Sequence, residues 1–386
     1  MDFGLSDEQR ELQRTLRRYL EQHAPTHVVA AHDREERYPQ AIIDGLAGLG
    51  VWGMCISPEY GGSGADPVSV AIACEELQRA GGCIASAITP TMTFCAPGIE
   101  RHGTEAQRRD LLPGIAAGRI RMSIGLSEPD VGSDLSRTSM RAERVDGGFL
   151  VSGRKTWSTG ADVADYVFAL VRTGEPDSGY RGLSMLLLPR VGAQLTVRPI
   201  AKMAAQGTHS CEVAADRAFV PEDRLVGDEG AGGRIALELL EVERVYAAAQ
   251  CVGMAQGAYD TALAYARERE QFGRPVIEHQ AVAHTLASMA TDVECARLAA
   301  SWAAWQLTQP SPHTTVASMA KIACSEIATS VVARGMRVMG AYSYSVDHPM
   351  ERWYREAKLF EIAAGTNEIL RNVLAKRLQP GPAAGW

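Results

Sequence analysis

Hydrophobic spacing changes twice along the chain, and the two changes divide it into three regimes. Up to about residue 122 the apolar positions keep helical intervals, as at Leu5, Leu12, Leu16 and Leu20, which would share one face of a helix. Ser6 followed by Gln9 has the form of a capping box and predicts that this helix starts just after Ser6. Breakers at Pro58, Gly61, Gly62 and Gly64 interrupt the pattern, and an Ala-rich stretch predicts a further helix around residues 67–80. From Phe149 the runs are short and alternating: FLVSG, ADYVFALV, LSMLLLP, AQLTVRPI and CEVAADRAFV, separated by Gly, Pro and Asp. They predict a compact antiparallel β unit ending near Val226. From Gly232 long helices return, predicted over residues 234–268, 276–309, 314–340 and 350–378.

The fold class expected from this order is α+β, with the sheet between two helical parts. The expected domains are residues 1–122, 123–232 and 233–386. A length of 386 residues exceeds one ordinary core, and 46% hydrophobic with 22% charged residues is a globular balance. The net charge is −7 and no basic block is present, which argues against a nucleic-acid partner. The N-terminus lacks a basic start followed by an apolar signal region, and no apolar run approaches the roughly 18 residues of a membrane span. The eight cysteines are scattered without a CxxC pair. They read as free thiols in a reducing cytoplasm, with no metal or disulfide framework expected.

Five segments have the composition to do chemistry, and each also has a structural reading. Ser127-Glu128-Pro129-Asp130-Val131-Gly132-Ser133-Asp134 is either a solvated interdomain loop or one presenting N–H and hydroxyl groups to an electron-rich ligand. Trp157, with Thr159 two residues on, is either a core tryptophan or a flat surface for a planar cofactor. On the long helix, Ile235, Leu239, Val242, Tyr246 and Ala249 form a core-facing stripe. Glu243 borders that stripe, and its own face carries Ala236, Leu240, Ala247 and Gln250. A carboxyl there either pairs with a cation or, buried in apolar surroundings, gains basicity suited to removing a weakly acidic C–H proton. Arg267 to Pro275 closes this helix with arginines beside Phe272-Gly273, fitting a plain C-terminus or a phosphate plus an aromatic ring. Gly365 allows close approach of the backbone to a ligand, while Thr366 with Glu368 fits a helix N-cap and an acidic first turn.

Together these segments resemble the acyl-CoA dehydrogenase family. The resemblance rests on MDFGLSDEQ, SEPDVGSD, GRKTWSTGADVADY, REREQFGRPVIEHQ and ERWYREAKLFEIAAGTNEI, and spans nearly the whole chain. It implies an N-terminal helical domain, a middle β-barrel-like domain and a C-terminal four-helix bundle. It implies FAD as cofactor, with Leu126 and Ser127 at the pyrimidine edge of the flavin and Trp157 and Thr159 over the ring near N5. It further implies that Arg269, Phe272 and Gln280 reach the FAD of a neighbouring subunit, and that Thr366 and Glu368 add contacts. Ser133 and Arg244 match positions touching the CoA or pantetheine part of the substrate. A homodimer or homotetramer, an acyl-CoA or acyl-carrier thioester substrate and an electron-transfer flavoprotein partner follow from the same resemblance.

Two departures from the family pattern bear on function. Many members carry Tyr-Glu-Gly-Thr before the last helix, with that glutamate as base; here the residues are Ala363-Ala364-Gly365-Thr366. A minority resembling isovaleryl and long-chain dehydrogenases place the base on the long helix just before an arginine, and Glu243-Arg244 fits that arrangement. Ala364 keeps its backbone N–H, which in the family helps polarise the thioester carbonyl. The second departure is Arg337-Val-Met-Gly340-Ala341-Tyr342-Ser343, where the family usually has Gln first and Gly-Gly-x-Gly at the end. Arg337 suits a pyrophosphate of FAD. The expected reaction is α,β-dehydrogenation of an acyl thioester with Glu243 as α-proton base and hydride transfer to flavin N5. The alternatives are a carrier-protein dehydrogenase, an enoyl-CoA reductase, a flavin monooxygenase on the same fold, and a non-catalytic subunit of a heteromer.

Overall fold

The computed structural model of the chain describes residues 4–192, 194–310 and 314–378, without the side chain of residue 377. The first three residues of the opening signature and the last eight of the third expected domain lie outside the described residues. Seven helices come first: α1 (Asp7–His23), α2 (Thr26–Arg34), α3 (Gln40–Gly48), α4 (Pro67–Ala80), α5 (Gly82–Thr89), α6 (Ala96–His102) and α7 (Glu105–Ala116). The capping box is present as expected: Gln9 N donates to Ser6 Oγ and Ser6 N to Gln9 Oε1, both at 3.1 Å. Asp66 caps α4, accepting from the amides of Val68 and Ser69 at 2.9 and 3.1 Å, with Pro67 in the first turn where no N–H is missed.

Between α5 and α6 the helix does not stop but widens into a π-helical segment over Pro90–Cys95. Pro90 has no N–H to donate to the preceding turn. The hydroxyls of Thr89 and Thr93 donate back to the carbonyls of Ala85 and Thr89 at 3.0 and 2.8 Å. Nothing in the apolar spacing signals this widening. It makes Gly82–His102 one continuous helical stretch, long and apolar enough to cross a membrane by length and composition; Thr314–Tyr344 passes the same test. The sequence reading found no run of that kind. The stretches are 83% and 56% buried inside the chain, as core helices are.

Eight strands follow: β1 (Met122–Gly125), β2 (Arg141–Val145), β3 (Gly148–Thr159), β4 (Tyr166–Arg172), β5 (Leu183–Pro189), β6 (Leu195–Pro199), β7 (Ser210–Pro221) and β8 (Leu225–Val226). They form one sheet in the order β6-β7-β3-β2-β4-β5-β8, with β1 beside β4. All five alternating runs are strands; β1, β2 and β8 are too short or too polar to stand out in the sequence. The sheet is antiparallel except at β1, which runs parallel to β4, and at one parallel pairing of Arg141 with Arg172. β1 arrives from α7 rather than through a hairpin, so its direction is not set by a turn.

The last part holds α8 (Gly232–Glu268), a hairpin of β9 (Glu270–Gln271) and β10 (Arg274–Pro275), α9 (Gln280–Gln306), α10 (Thr314–Met339), α11 (Met350–Ile362) and α12 (Asn367–Leu378). The helix expected over residues 350–378 is two helices, because Ala364 and Gly365 have φ of 55° and 91°, outside the right-handed helical region. α8 runs through both cores. Its N-terminal turns, with Ile235 and Leu239, join Phe94 and Phe168 where the first helices meet the sheet. Its later turns, from Val242 to Ala266, pack among α4, α9, α10 and α11.

Gly98 of α6 lies where these parts converge. A Cβ there would stand 2.7 Å from Phe168 Cε1 and 2.9 Å from Leu239 Cδ1, closer than real side chains pack. Gly98→Ala is therefore expected to destabilise the protein by about 1–3 kcal/mol through overpacking, read as a lower denaturant midpoint. An unchanged midpoint would show that β4 and α8 are free to shift apart.

Candidate active site

The site is built around α8. Glu243 lies one turn beyond Leu239, where the helix passes from the sheet-facing core into the bundle. Ala236, Leu240 and Ala247 of its face are buried, so the wall beneath it is small and apolar. Glu243 is only partly closed off from the cleft, yet it makes no hydrogen bond or ion pair with any described residue. Burial pushes its pKa up to about 7, against the opposing pull of the Arg244 and Lys321 cations. Cys95, the last residue of the π-helical segment, is near enough that the Glu243 charge adds to burial in raising its thiol. Met92, Phe94 and Cys95 are fully buried core residues.

Arg244 points away from Glu243 toward the turn between α11 and α12. It is 7% exposed, and its Nε donates to the carbonyl of Ala364 at 3.0 Å. The next carbonyl, of Gly365, accepts from Lys321 Nζ of α10 at 2.9 Å, and Asn367 Oδ1 accepts from the same ammonium at 3.0 Å. Two cations from two helices thus hold consecutive carbonyls of a turn whose residues both have positive φ. The amides of Ala364 and Gly365 donate to no described group. Thr366 caps α12, its Oγ1 accepting from Ile369 N at 3.2 Å, and Glu368 is an exposed first-turn residue near Arg371. The helix-cap reading of this segment is what the geometry shows, and it leaves the turn itself open to a ligand.

The second wall comes from the sheet. Leu126 and Ser127 leave the end of β1 and are tied to β3, with Thr156 N donating to Ser127 O at 2.9 Å and Lys155 Nζ to Leu126 O at 3.1 Å. Lys155 also pairs with Glu128 at 2.8 Å, both inaccessible to solvent. Glu128 further accepts from Ser139 N, Ser139 Oγ and Met140 N at 2.8, 2.6 and 2.9 Å. Burial lifts the Glu128 carboxyl, but Lys155 and these donors bring it net below the ordinary carboxylate value. Burial draws the Lys155 ammonium down to about 8. The loop is pinned from inside, and Ser133 is exposed at its turn.

Between Lys155 and Ser158 the register of β3 against β7 slips by one residue. Trp157 sits in this bulge with φ of 60°, and its side chain is re-aimed out of the sheet. It is 57% exposed, so it is not the core tryptophan that strand alternation alone suggests. Ser158 beside it is buried with an unpartnered hydroxyl, and Thr159 Oγ1 has only a 3.5 Å contact with Ser210 Oγ. Neither the amide nor the hydroxyl of Ser127 has a partner among the described residues. A flat exposed indole beside unused N–H and hydroxyl groups fits an isoalloxazine ring, which offers a π face and carbonyl and ring-nitrogen acceptors.

A third group lies apart. α8 does not end in a glycine cap; Arg269 follows it directly, and Phe272-Gly273 form the two-residue turn of the β9–β10 hairpin with φ of 56° and 77°, as primed hairpin turns require. Phe272 is 95% exposed. Arg269 lies over the Tyr342 ring at 5.7 Å, and Gln280 opens α9 at the surface. Arg337, in the last turn of α10, is exposed and has no ion-pair or hydrogen-bond partner among the described residues. Ser343 closes the turn after it, donating to the carbonyl of Gly340 at 2.7 Å. Arg269 is about 26 residues beyond Glu243, or ~39 Å along α8. The two cannot touch one flavin ring within one chain.

The sequence reading missed Lys321, Lys155 and Asn367. Lys321 had a usable signal, a single lysine inside the apolar stretch ASMAKIAC, since a lysine at a core position is rare without a specific partner. Lys155 sits in a strand whose alternation is broken by the bulge, and Asn367 is hidden as an ordinary first-turn polar residue.

The carboxyl at Glu243 sets a stability prediction. Its folded pKa of about 7 lies above the ordinary carboxyl value of 4.5, so the folded state binds more protons and loses stability as pH rises between those values. Glu243→Gln should match wild type near pH 5 and exceed it at pH 8 by on the order of 1–3 kcal/mol, measured by denaturant unfolding at both pH values. A constant difference would place the carboxyl in water.

Comparison with known proteins agrees with this geometry. Family models match the acyl-CoA dehydrogenase N-terminal domain over residues 6–119, the middle domain over 123–218 and the C-terminal domain over 230–379. A probable acyl-CoA dehydrogenase, YngJ, of Bacillus subtilis is 34% identical over 98% of this chain and 100% of its own. Butyryl-CoA dehydrogenase from Megasphaera elsdenii superposes with a TM-score of 0.93 at 31% identity, covering 98% of this chain and 100% of the other. A chain in the structure of the electron transferring flavoprotein of Acidaminococcus fermentans does so with a TM-score of 0.95 at 32% identity, covering 99% and 100%. With three domains matched in order along nearly its whole length, the chain belongs to the acyl-CoA dehydrogenase family.

Proposed function

We propose that the protein is an FAD-dependent acyl-CoA dehydrogenase in which Glu243 is the base. The observation that carries the assignment is a carboxyl with no partner, raised to about 7, beside a turn whose amides are unused. In the family position that usually supplies the base, Ala364 offers only backbone. FAD, when bound, supplies the acceptor for the hydride leaving the β-carbon. Trp157, Thr159 and Ser127 would hold its ring, with Leu126 at the same edge. Arg337, Thr366 and Glu368 are the further groups assigned to it. Arg269, Phe272 and Gln280 stand too far along the chain to join them, and a neighbouring subunit in a homodimer or homotetramer would bring them into reach.

The chain's own groups account for the proton side of the reaction. The amide of Ala364, whose carbonyl Arg244 holds, donates to the thioester oxygen, where negative charge grows as the α-proton leaves. Glu243 takes that proton. A base near 7 is half ionised at neutral pH, and its basicity exceeds that of a solvated carboxylate. Ala236, Leu240 and Ala247 give the carboxylate an apolar wall on one side. Ser133 and Arg244 are assigned to the CoA side of the substrate. An electron-transfer flavoprotein in the cytoplasm is the proposed recipient of the electrons, supported by the resemblance to the Acidaminococcus fermentans chain.

The test is anaerobic mixing of the purified yellow protein with acyl-CoAs. Wild type should bleach, with a rate that rises from pH 6 to 8 around a midpoint near 7. Glu243→Ala should keep its flavin spectrum and bleach about 10²–10⁴-fold more slowly, without the pH-dependent rise. Bleaching of that variant at the wild-type rate would remove Glu243 from the mechanism.

A further inference from the structure

Lys321 is the buried cation that the mechanism above has not used in its own right. It is 0% exposed and lies on α10, opposite α8. No carboxylate lies within ion-pair distance of it among the described residues. A buried ammonium without a carboxylate partner is rare, since desolvation is offset only by the dipoles that surround it. Here those dipoles are Gly365 O at 2.9 Å and Asn367 Oδ1 at 3.0 Å. Asn367 is itself fixed, donating from Nδ2 to Ser325 Oγ at 3.1 Å. The ammonium therefore clamps the turn on which Ala364 sits, at a carbonyl adjacent to the one Arg244 holds.

We infer that Lys321 is a positioning residue for the Glu243 centre, holding the Ala364–Gly365 turn by its hydrogen bonds and keeping a positive charge in the field of the Glu243 carboxyl. The inference rests on the assignment of Glu243 as base. Glu241 acts on Arg244 from α8, and Asn367 Nδ2 also donates to Glu326 Oε1 of α10 at 3.3 Å. Glu243 faces Arg244 from its own helix, Lys321 from α10 and the Cys95 thiol from the π-helical segment. Lys321 faces Arg244 and the Cys251 thiol from α8, Glu361 from α11 and Glu368 from α12. Burial brings the Lys321 ammonium down to about 8, and the two glutamates and Cys251 oppose that fall while Arg244 adds to it.

Removal of the cation should leave Glu243 protonated to higher pH, and loss of the two hydrogen bonds should loosen the turn. The experiment uses the FAD-bound protein and follows the Glu243 carboxyl by infrared difference spectroscopy against Glu243→Gln across pH 5–9, with amide exchange of residues 364–367 as a second readout. In Lys321→Met the carboxyl midpoint should rise by about half a unit or more, the amides should exchange at least about 10-fold faster, and flavin reduction at pH 7 should slow about 3-fold or more. Lys321→Arg should restore the midpoint. If Lys321→Met does not fold, Lys321→Gln carries the same titration, keeping a donor and losing the charge. An unmoved midpoint in the folded neutral variant, or an equal rise in Lys321→Arg, overturns the inference. The infrared band reports the carboxyl whether or not it acts as base, so failure of the Glu243 assignment would show separately, as undiminished bleaching in Glu243→Gln.

Discussion

A half-buried carboxyl group set on an apolar wall and given no partner is an unstable arrangement, and the structure around Glu243 is arranged to maintain it. A single counter-charge in contact would remove the difficulty by ionising the group at low pH, and would remove its basicity with it. Instead the adjacent cations are turned elsewhere. Arg244 spends its donor on the Ala364 carbonyl and Lys321 on Gly365 and Asn367. The same two side chains that could neutralise Glu243 therefore shape the turn facing it, and act on the carboxyl only through the field. Their pull opposes burial at the carboxyl, which stands at about 7.

This arrangement explains why α8 is so long. One helix of 37 residues takes part in the core against the sheet, carries the carboxyl at the junction, and then enters the bundle with α9 and α10. The junction is where the core against the sheet gives way to the core of the bundle. The π-helical segment at Pro90–Cys95 brings Phe94 and Cys95 against the same junction from the other side. On the sheet side the equivalent device is the buried Lys155–Glu128 pair, whose hydrogen bonds are nearly all inside the protein. Such a pair contributes little net stability when compared with an apolar substitute; what it fixes is the path of the Leu126–Ser127 backbone.

The three regimes, the five alternating runs and the long helices could be read from spacing because burial on one face leaves a periodic trace in the sequence. Trp157 shows where that trace ends. Alternation places it in a strand and says nothing of a one-residue bulge, yet the bulge alone decides whether its ring is core or surface. Spacing sets Glu243 at the edge of an apolar stripe, but whether a cation meets it depends on where Arg244 points, which no local spacing records. Ala364 and Gly365 illustrate the same limit: glycine signals a turn, while an alanine with positive φ does not. Lys321 was the readable residue left unread, since its neighbours on both sides are apolar.

The absence of glutamate at 364 and its presence at 243 are linked by that turn. With a side-chain base on the turn, the cations holding its carbonyls would face the base directly and the turn would need to tolerate a charge close to both. With alanine there, Arg244 and Lys321 bind the backbone closely, and the carboxyl proposed as base comes from α8. Gly365 fits the same logic. A Cβ at that position would come within 3.4 Å of Arg244 Nη2, and φ of 91° disfavours any larger residue. The position of the proposed base, the small residues of the turn and the two cations thus form one coupled choice. Placing the proposed base on the turn would require more than one exchange of alanine for glutamate, since the cations that now shape the turn would have to find other partners.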